Sequence, residues 1–236
     1  MDCSAAAASV EIGCRDEIVT GAPRRTSRIV PSLCVHEADA EIRPIYERFV
    51  SERFAEVYGA QLYSFMPRLF GLHEGSGRLN AVFGMREAAR EPLFLEQYLD
   101  APVQSMVGAR VGHRVARERI VEIGNLAGAT PGALRQLIPV LTAMLHSCGY
   151  HWVVFTGSAR LVNGFTRLGL PLQVISQAPV DRLPALERQR WGTYYDHQPS
   201  VMLGDIRSAS LRLQQLAQHP QGLDAALASV ATVGAP

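Results

Sequence analysis

The sequence predicts one α/β domain, and three observations carry that expectation. Helical and strand periods of apolar residues alternate from residue 38 to residue 206, with no linker-like break and no internal repeat. Turn and cap residues fall where the period changes, at Glu74-Gly75-Ser76-Gly77, Thr130-Pro131, Gly149, Ser158 and Gly169. At 236 residues with 47% hydrophobic and 19% charged side chains, the chain can bury a large core without a disulfide or metal staple.

Residues 1–30, rich in Ala, Ser, Arg and Pro, read as a flexible arm, residues 31–207 as the domain, and residues 208–236 as a short helix with a frayed tail. The first helix is expected over 38–58, where Ile42, Ile45, Tyr46, Phe49, Val50 and Val57 form one apolar stripe. A hairpin follows, 68–73 and 79–86, reversed through two glycines. Pro92 opens a short helix over 93–99. Residues 119–127 read as a strand with Gly124 as its bulge site. Thr130 is the expected N-cap and Pro131 the first position of a helix whose buried side carries Leu134, Leu137, Ile138, Leu141, Leu145 and Cys148. Strand 151–156, helix 159–168 capped by Ser158, strand 172–176 and strand 201–206 complete the order.

Composition narrows the function. A net charge of +1 argues against a general nucleic-acid binder. All 23 basic residues are Arg, so lysine Schiff bases and lysine phosphate anchors are excluded. Cys3, Cys14, Cys34 and Cys148 show no zinc or redox spacing, which predicts unpaired thiols in a reducing compartment. The N-terminal residues lack a signal-peptide pattern and no window reaches a membrane span, so a cytoplasmic protein is expected. His73, His146, His151 and His197 are isolated, and neither a metal set nor a catalytic triad is visible.

A strand that runs through Gly128-Ala129-Thr130-Pro131-Gly132-Ala133 into a helix presents unpaired backbone N–H groups, which suit an anion, although an ordinary strand-to-helix connection has the same sequence. The run is neither a Walker motif nor a G-x-G-x-x-G fingerprint. The order helix, hairpin, strand, helix, strand, helix, strand, strand resembles the GNAT acyltransferase superfamily. So does Ser158-Ala159-Arg160-Leu161-Val162-Asn163-Gly164-Phe165-Thr166-Arg167-Leu168-Gly169-Leu170, which is similar to that superfamily's closing helix. The resemblance implies a mixed, twisted sheet with helices on both faces and a splayed parallel strand pair, here 120–127 and 152–156. The pantetheine arm of an acyl donor would lie between those strands.

Ala81-Val82-Phe83-Gly84-Met85-Arg86, Glu91-Pro92-Leu93-Phe94-Leu95 and Ile120-Val121-Glu122-Ile123 resemble segments of acyl-homoserine-lactone synthases. Residues 58–67 carry none of their acidic pair, and Gly124-Asn125-Leu126 replaces their Ser-Arg-Phe, which weighs against S-adenosylmethionine as substrate. The longest set of matches is to the thermostable hemolysin family: Tyr58-Gly59-Ala60, Phe65-Met66-Pro67, Pro92-Leu93-Phe94-Leu95-Glu96-Gln97-Tyr98-Leu99, Val121-Glu122-Ile123-Gly124-Asn125-Leu126-Ala127, Trp152-Val153-Val154-Phe155-Thr156 and Trp191-Gly192-Thr193-Tyr194-Tyr195-Asp196. Its name implies membrane lysis, but no pore-forming amphipathic hairpin is present.

Glu122 lies between apolar neighbours, so it is either ion-paired with Arg86 or the group that holds and deprotonates an amine. Arg86 would alternatively clamp the carboxylate of an amino-acid-like acceptor. By resemblance, donor binding falls to Gly124, Asn125, Leu126, Ala127, Gly128, Gly132, Ala133, Thr156 and Phe165, with the Asn125 and Leu126 amides polarising the thioester carbonyl. Phe165 stands where many GNAT enzymes carry a proton-donating Tyr, leaving Tyr194 and Tyr195 as spare donors or as packing beside Trp191. Arg110, Arg114, Arg117 and Arg119, with His113, form a solvated charge run or a dock for an acidic acyl carrier protein or coenzyme A phosphates. Phe65, Met66, Phe70, Met85, Phe94 and Leu95 line an acyl pocket or belong to the core. The resulting expectation is an N-acyltransferase with no tightly bound cofactor and no metal. It would use acyl-CoA or acyl carrier protein as co-substrate and pass a fatty acyl group to an amine. The alternatives are a membrane-active lysin and a non-catalytic acyl-thioester sensor.

Overall fold

A computed structural model describes residues 33–218 other than 131. The arm expected over 1–30, the tail beyond 218 and the Pro131 position lie outside the described residues. One seven-stranded sheet runs through the domain in the order β1-β2-β3-β4-β5-β7-β6. Its strands are β1 (Leu33–Glu37), β2 (Arg68–Glu74), β3 (Leu79–Glu87), β4 (Ile120–Gly128), β5 (Trp152–Gly157), β6 (Leu172–Gln177) and β7 (Ser200–Asp205). Every neighbouring pair is antiparallel except β4 and β5. Strand β1 has no counterpart in the sequence reading, because five residues with a single buried side chain leave too short a period to detect.

Helix α1 (Arg43–Tyr58) starts later than the apolar pattern suggests. The Asp39 carboxylate accepts the N–H groups of Glu41 and Ile42 at 2.9 Å, making a polar turn, and Pro44 then occupies the first helical turn. Its buried stripe is also narrower than predicted: Tyr46 and Val50 pack on Leu69, Val82 and Ala127 of the sheet, while Ile45 and Val57 are exposed. The segment expected as a helix over 93–99 is a single 3-10 turn, Phe94–Tyr98. Helix α2 (Val103–Val111) went unrecognised, since only Val103 and Val107 of its nine residues are buried.

Helix α3 (Ala133–Ser147) begins after Gly132 with no side-chain cap, and Thr130 contributes its carbonyl to the Ala133 N–H instead of its hydroxyl. Helices α4 (Ala159–Arg167) and α5 (Ala185–Arg188) flank β6, and α6 (Ile206–Gln218) continues directly from β7. Asp205 holds the start of α6 through the Ser208 N–H at 3.0 Å. Leu213 and Leu216 of α6 pack with Ile138 of α3 and Leu168 and Leu170, so this helix is part of the domain core. Helices α3, α4 and α6 cover one face of the sheet, and α1, α2 and the 3-10 turn cover the other. Cys34 is a free thiol, whereas Cys148 is disulfide-bonded, which corrects the expectation of four unpaired thiols. Thiol pairing depends on proximity in space, and linear spacing does not report it.

Candidate active site

The site starts from a missing ladder. Strands β4 and β5 pair only at Ile120↔Trp152, Val121↔Val153 and Glu122↔Val154, then diverge. The cause lies on the other side of β4. Between Val82↔Ala127 and Gly84↔Gly124, two steps along β3 face three along β4, so β4 carries one extra residue. The bulge is therefore at Asn125, one position beyond the expected Gly124. Asn125 has φ 48°, a left-handed conformation that Asn tolerates better than most residues, and its Oδ1 accepts the Met66 N–H at 2.7 Å. Gly124 serves a different need: a Cβ there would lie 2.3 Å from the Met66 methyl, so the glycine lets Met66 cross the strand.

The divergence opens a cleft of about 1230 Å³. Glu122, Gly124, Asn125, Leu126, Ala127 and Gly128 of β4 line it, as do Thr156 of β5 and Phe165 of α4. Phe165 stacks on Phe155 at 5.4 Å. Arg86, Phe65, Met66, Phe94, Tyr194 and Tyr195 complete the set of expected residues that the fold gathers here. Gly132 instead faces a smaller hollow with Glu74, Arg78 and Arg135, and Ala133 is buried in the core. Phe70, Met85 and Leu95 are likewise wholly buried core residues.

Glu122 sits at the fork, 2% exposed. Its carboxylate accepts the Phe94 N–H at 2.8 Å and the Leu95 N–H at 3.0 Å, both from the start of the 3-10 turn. Arg86 is its partner in register across β3 and β4, yet the arginine turns toward Glu91 Oε2 at 3.5 Å and the Pro92 carbonyl at 3.4 Å. Loss of solvent pushes the Glu122 carboxyl up to about 7, against the opposing pull of the two N–H groups and of Arg86. The turn is itself held. Glu96 accepts the Leu93 N–H at 2.8 Å and the Val103 N–H at 3.0 Å, and both its oxygens meet Arg117 at 2.7 Å. That guanidinium holds the Glu96 carboxyl down at about 2.

Aromatic rings roof the cleft. The segment carrying Trp191, Tyr194 and Tyr195 crosses to the end of α1, where the Thr193 N–H donates to the Tyr58 carbonyl at 2.9 Å and the Gln61 N–H to the Arg190 carbonyl at 2.7 Å. Gly192 permits the approach: its φ is +52°, and a Cβ there would stand 2.0 Å from the Tyr58 oxygen. Tyr194 donates to the Thr156 carbonyl at 3.3 Å, and burial raises its hydroxyl. Tyr195 shares a short hydrogen bond with Tyr98, and burial pushes it up to about 12. Tyr98, Phe54 and Tyr58 are cleft residues that sequence reasoning missed, because aromatic residues in helical segments carry the same periodic signal as core packing.

The basic run does not reach the cleft. Arg110 donates to the Val174 carbonyl, Arg117 to Glu96, and Arg119 to the Gly149 carbonyl at 2.8 Å, while Arg114 lies beyond the end of α2. The arginines on the cleft wall are Arg53, Arg86, Arg135, Arg167 and Arg190, from five separate segments. Among the described residues no cluster of His, Cys, Asp and Glu could hold a metal, and no helix is long and apolar enough to cross a membrane.

The chain is similar to three solved structures. They are the AHL synthase LasI (10% identity, TM-score 0.51, 75% of this chain and 91% of that one), FeeM, an N-acyl amino acid synthase from uncultured soil microbes (15%, 0.51, 81% and 99%), and TofI in a ternary complex with an inhibitor and MTA (16%, 0.50, 81% and 96%). At these identities the likeness is one of fold, and the structure carries the expected mixed sheet with its splayed parallel pair. No curated protein matches the chain. The thermostable hemolysin family model matches residues 36–210, and the chain belongs to the thermostable hemolysin family.

Proposed function

We propose that the protein is an N-acyltransferase that moves a fatty acyl group from a pantetheine thioester, carried by coenzyme A or an acyl carrier protein, to an amine. One observation carries this reading: the β4–β5 ladder stops at Glu122↔Val154, leaving a buried carboxylate at the fork of a large cleft. Beyond the fork, the facing edges of β4 and β5 make no ladder with each other. The two amides of a pantetheine arm can pair with them as an inserted strand would. A thioester carbonyl seated against the bulge would meet the backbone N–H groups of Asn125 and Leu126, where negative charge grows as the amine attacks.

Glu122, poised near neutrality, accepts the proton the amine must lose. The C–N bond forms, the C–S bond breaks, and the departing thiolate has an ordinary pKa near 8.5, so it can leave without a strong acid. It then takes up the proton released through Glu122. Burial raises the Tyr194 hydroxyl and pushes that of Tyr195 up to about 12, above the departing thiol, so proton transfer from either to the thiolate runs uphill and they offer hydrogen bonds.

The inner part of the cleft supports a long acyl chain. Leu137, Leu141 and Leu145 of α3, Phe155 of β5, Leu170 and Ile206 line an apolar trough between the sheet and its covering helices. Arg86 supports an acceptor bearing a carboxylate: it lines the cleft beside Glu122, and its contacts to the Glu91 carboxylate and the Pro92 carbonyl are long, at 3.5 and 3.4 Å. The test is product analysis by intact mass after mixing the protein with acyl-CoA or acyl carrier protein and a panel of amines and amino acids. An N-acyl product formed with release of one free thiol is expected. Thioester binding without any N-acyl product across the panel would overturn the proposal.

A further inference from the structure

Arg117 belongs to the run that sequence reasoning offered as a phosphate or carrier dock, but its surroundings give it another task. Nη1 and Nη2 each meet a Glu96 oxygen at 2.7 Å, Nη1 also reaches Gln104 Oε1 at 2.8 Å, and Nε donates to the Ala88 carbonyl. Glu96 in turn closes the start of the 3-10 turn through the Leu93 N–H and ties it to α2 through the Val103 N–H. The next two N–H groups along that turn, those of Phe94 and Leu95, are the ones that hold the Glu122 carboxylate.

We propose that the Arg117–Glu96 pair is a positioning clamp that fixes the Phe94–Leu95 amides on Glu122 and so sets both the orientation and the proton affinity of that carboxylate. Three hydrogen-bonded steps connect a cation beyond the cleft wall to the carboxylate at the fork: Arg117 to Glu96, the Leu93 N–H to Glu96, and the adjoining Phe94 and Leu95 N–H groups to Glu122. A turn this short cannot hold two amides in register by its own hydrogen bonds, because a single 3-10 turn has poor geometry and little cooperativity. An external fork-shaped ion pair supplies the missing rigidity. Arg117 and Glu96 are positioning residues, and neither lines the cleft.

The charged and titratable groups facing Glu122 are Arg86 from β3 and Glu96 and Tyr98 from the turn, with Tyr195 paired to Tyr98 from the β6–β7 connection and Glu91 beside Arg86. Of these, the clamp touches Glu96 of the turn and, at 3.4 Å, the backbone carbonyl of Glu91, not the Glu91 carboxylate that meets Arg86. Loosening it withdraws the two N–H groups that favour the ionised carboxylate, so the proton affinity of Glu122 rises. The clamp's part in acyl transfer rests on the proposed reaction, but its effect on Glu122 does not.

The experiment is a carbon-13 titration of the glutamate side chains in the full-length protein, with the Glu122 signal assigned by Glu122→Gln. In Arg117→Met the Glu122 midpoint is expected to move upward by about one pH unit, a tenfold gain in proton affinity. Arg117→Lys, which keeps the charge but not the fork, should give a smaller shift in the same direction. Arg68→Met removes a comparable ion pair with Glu37 and Glu87 away from the turn and should leave the midpoint in place. A Glu122 midpoint unchanged in whichever clamp variant folds, or moved equally by Arg68→Met, would overturn the proposal. The titration needs no substrate, so its result stands apart from the outcome of the acyl-transfer assay.

Discussion

Replacing Glu122 by Gln should change how stability depends on pH, and the size of the change follows from the burial of one carboxyl. In the unfolded chain this group titrates at its ordinary value of 4.5, and in the fold at about 7, because desolvation disfavours its ionised form. Between those two pH values the folded state keeps a proton that the unfolded state has released. Stability contributed by this group is therefore intact below 4.5 and declines as pH rises toward 7. At 1.36 kcal/mol per pH unit, the gap amounts to about 3 kcal/mol. The glutamine variant has no such titration. Subtracting its unfolding free energy from that of the wild type, by urea denaturation at pH values from 4 to 8, should give a difference that falls by about 3 kcal/mol across the interval and is flat above it. A fixed offset is expected as well, since glutamine replaces one accepting oxygen by an NH2 group that only donates, leaving either the Phe94 or the Leu95 N–H without its acceptor. Parallel curves for the two proteins from pH 4 to pH 8 would show that the carboxyl is not desolvated, and the account of Glu122 as a base poised near neutrality would fail with it.

Gly192→Ala forces a Cβ against the Tyr58 carbonyl, so the aromatic roof should detach at the Thr193–Tyr58 hydrogen bond. The expected cost is about 2–3 kcal/mol from left-handed strain and one lost backbone bond, read as a lower thermal midpoint and a shift in Trp191 fluorescence. Asn125→Ala removes the acceptor of the Met66 N–H and a residue suited to φ 48°, and should destabilise by about 2–4 kcal/mol in chemical denaturation. Leu141→Trp fills the apolar trough, and the dependence of kcat/KM on acyl length should move toward shorter chains with the acceptor KM unchanged. If Glu122 is the base, kcat/KM for a fixed donor and amine should climb through a midpoint near pH 7, and Glu122→Gln should abolish that limb.

Order and type of the main elements were legible in the sequence because local physics controls them. Hydrophobic period separated strand β4 from helix α3, and Gly149 and Gly169, both at positive φ, end α3 and α4 as expected of that residue. Glu122 stood out for the same reason: a carboxylate inside an apolar strand must have a partner or a purpose. Where that partner would come from was invisible, since the Phe94 and Leu95 amides are 28 and 27 residues away and a backbone N–H leaves no mark in a sequence.

The division extends to the whole site. By itself the sequence determined which residues are apolar, which can adopt left-handed or tight conformations, and which carry charge, and these set the elements and their buried faces. Tertiary structure alone decided that the extra residue of β4 falls at Asn125, that β5 leaves it after Glu122, and that Arg117 closes on Glu96. It also sent Met85 and Leu95 into the core while Leu141 and Phe155 line the trough. Hydrophobicity states that a side chain avoids water, but only the packing of helices against a splayed sheet settles whether it meets other protein atoms or an open cleft.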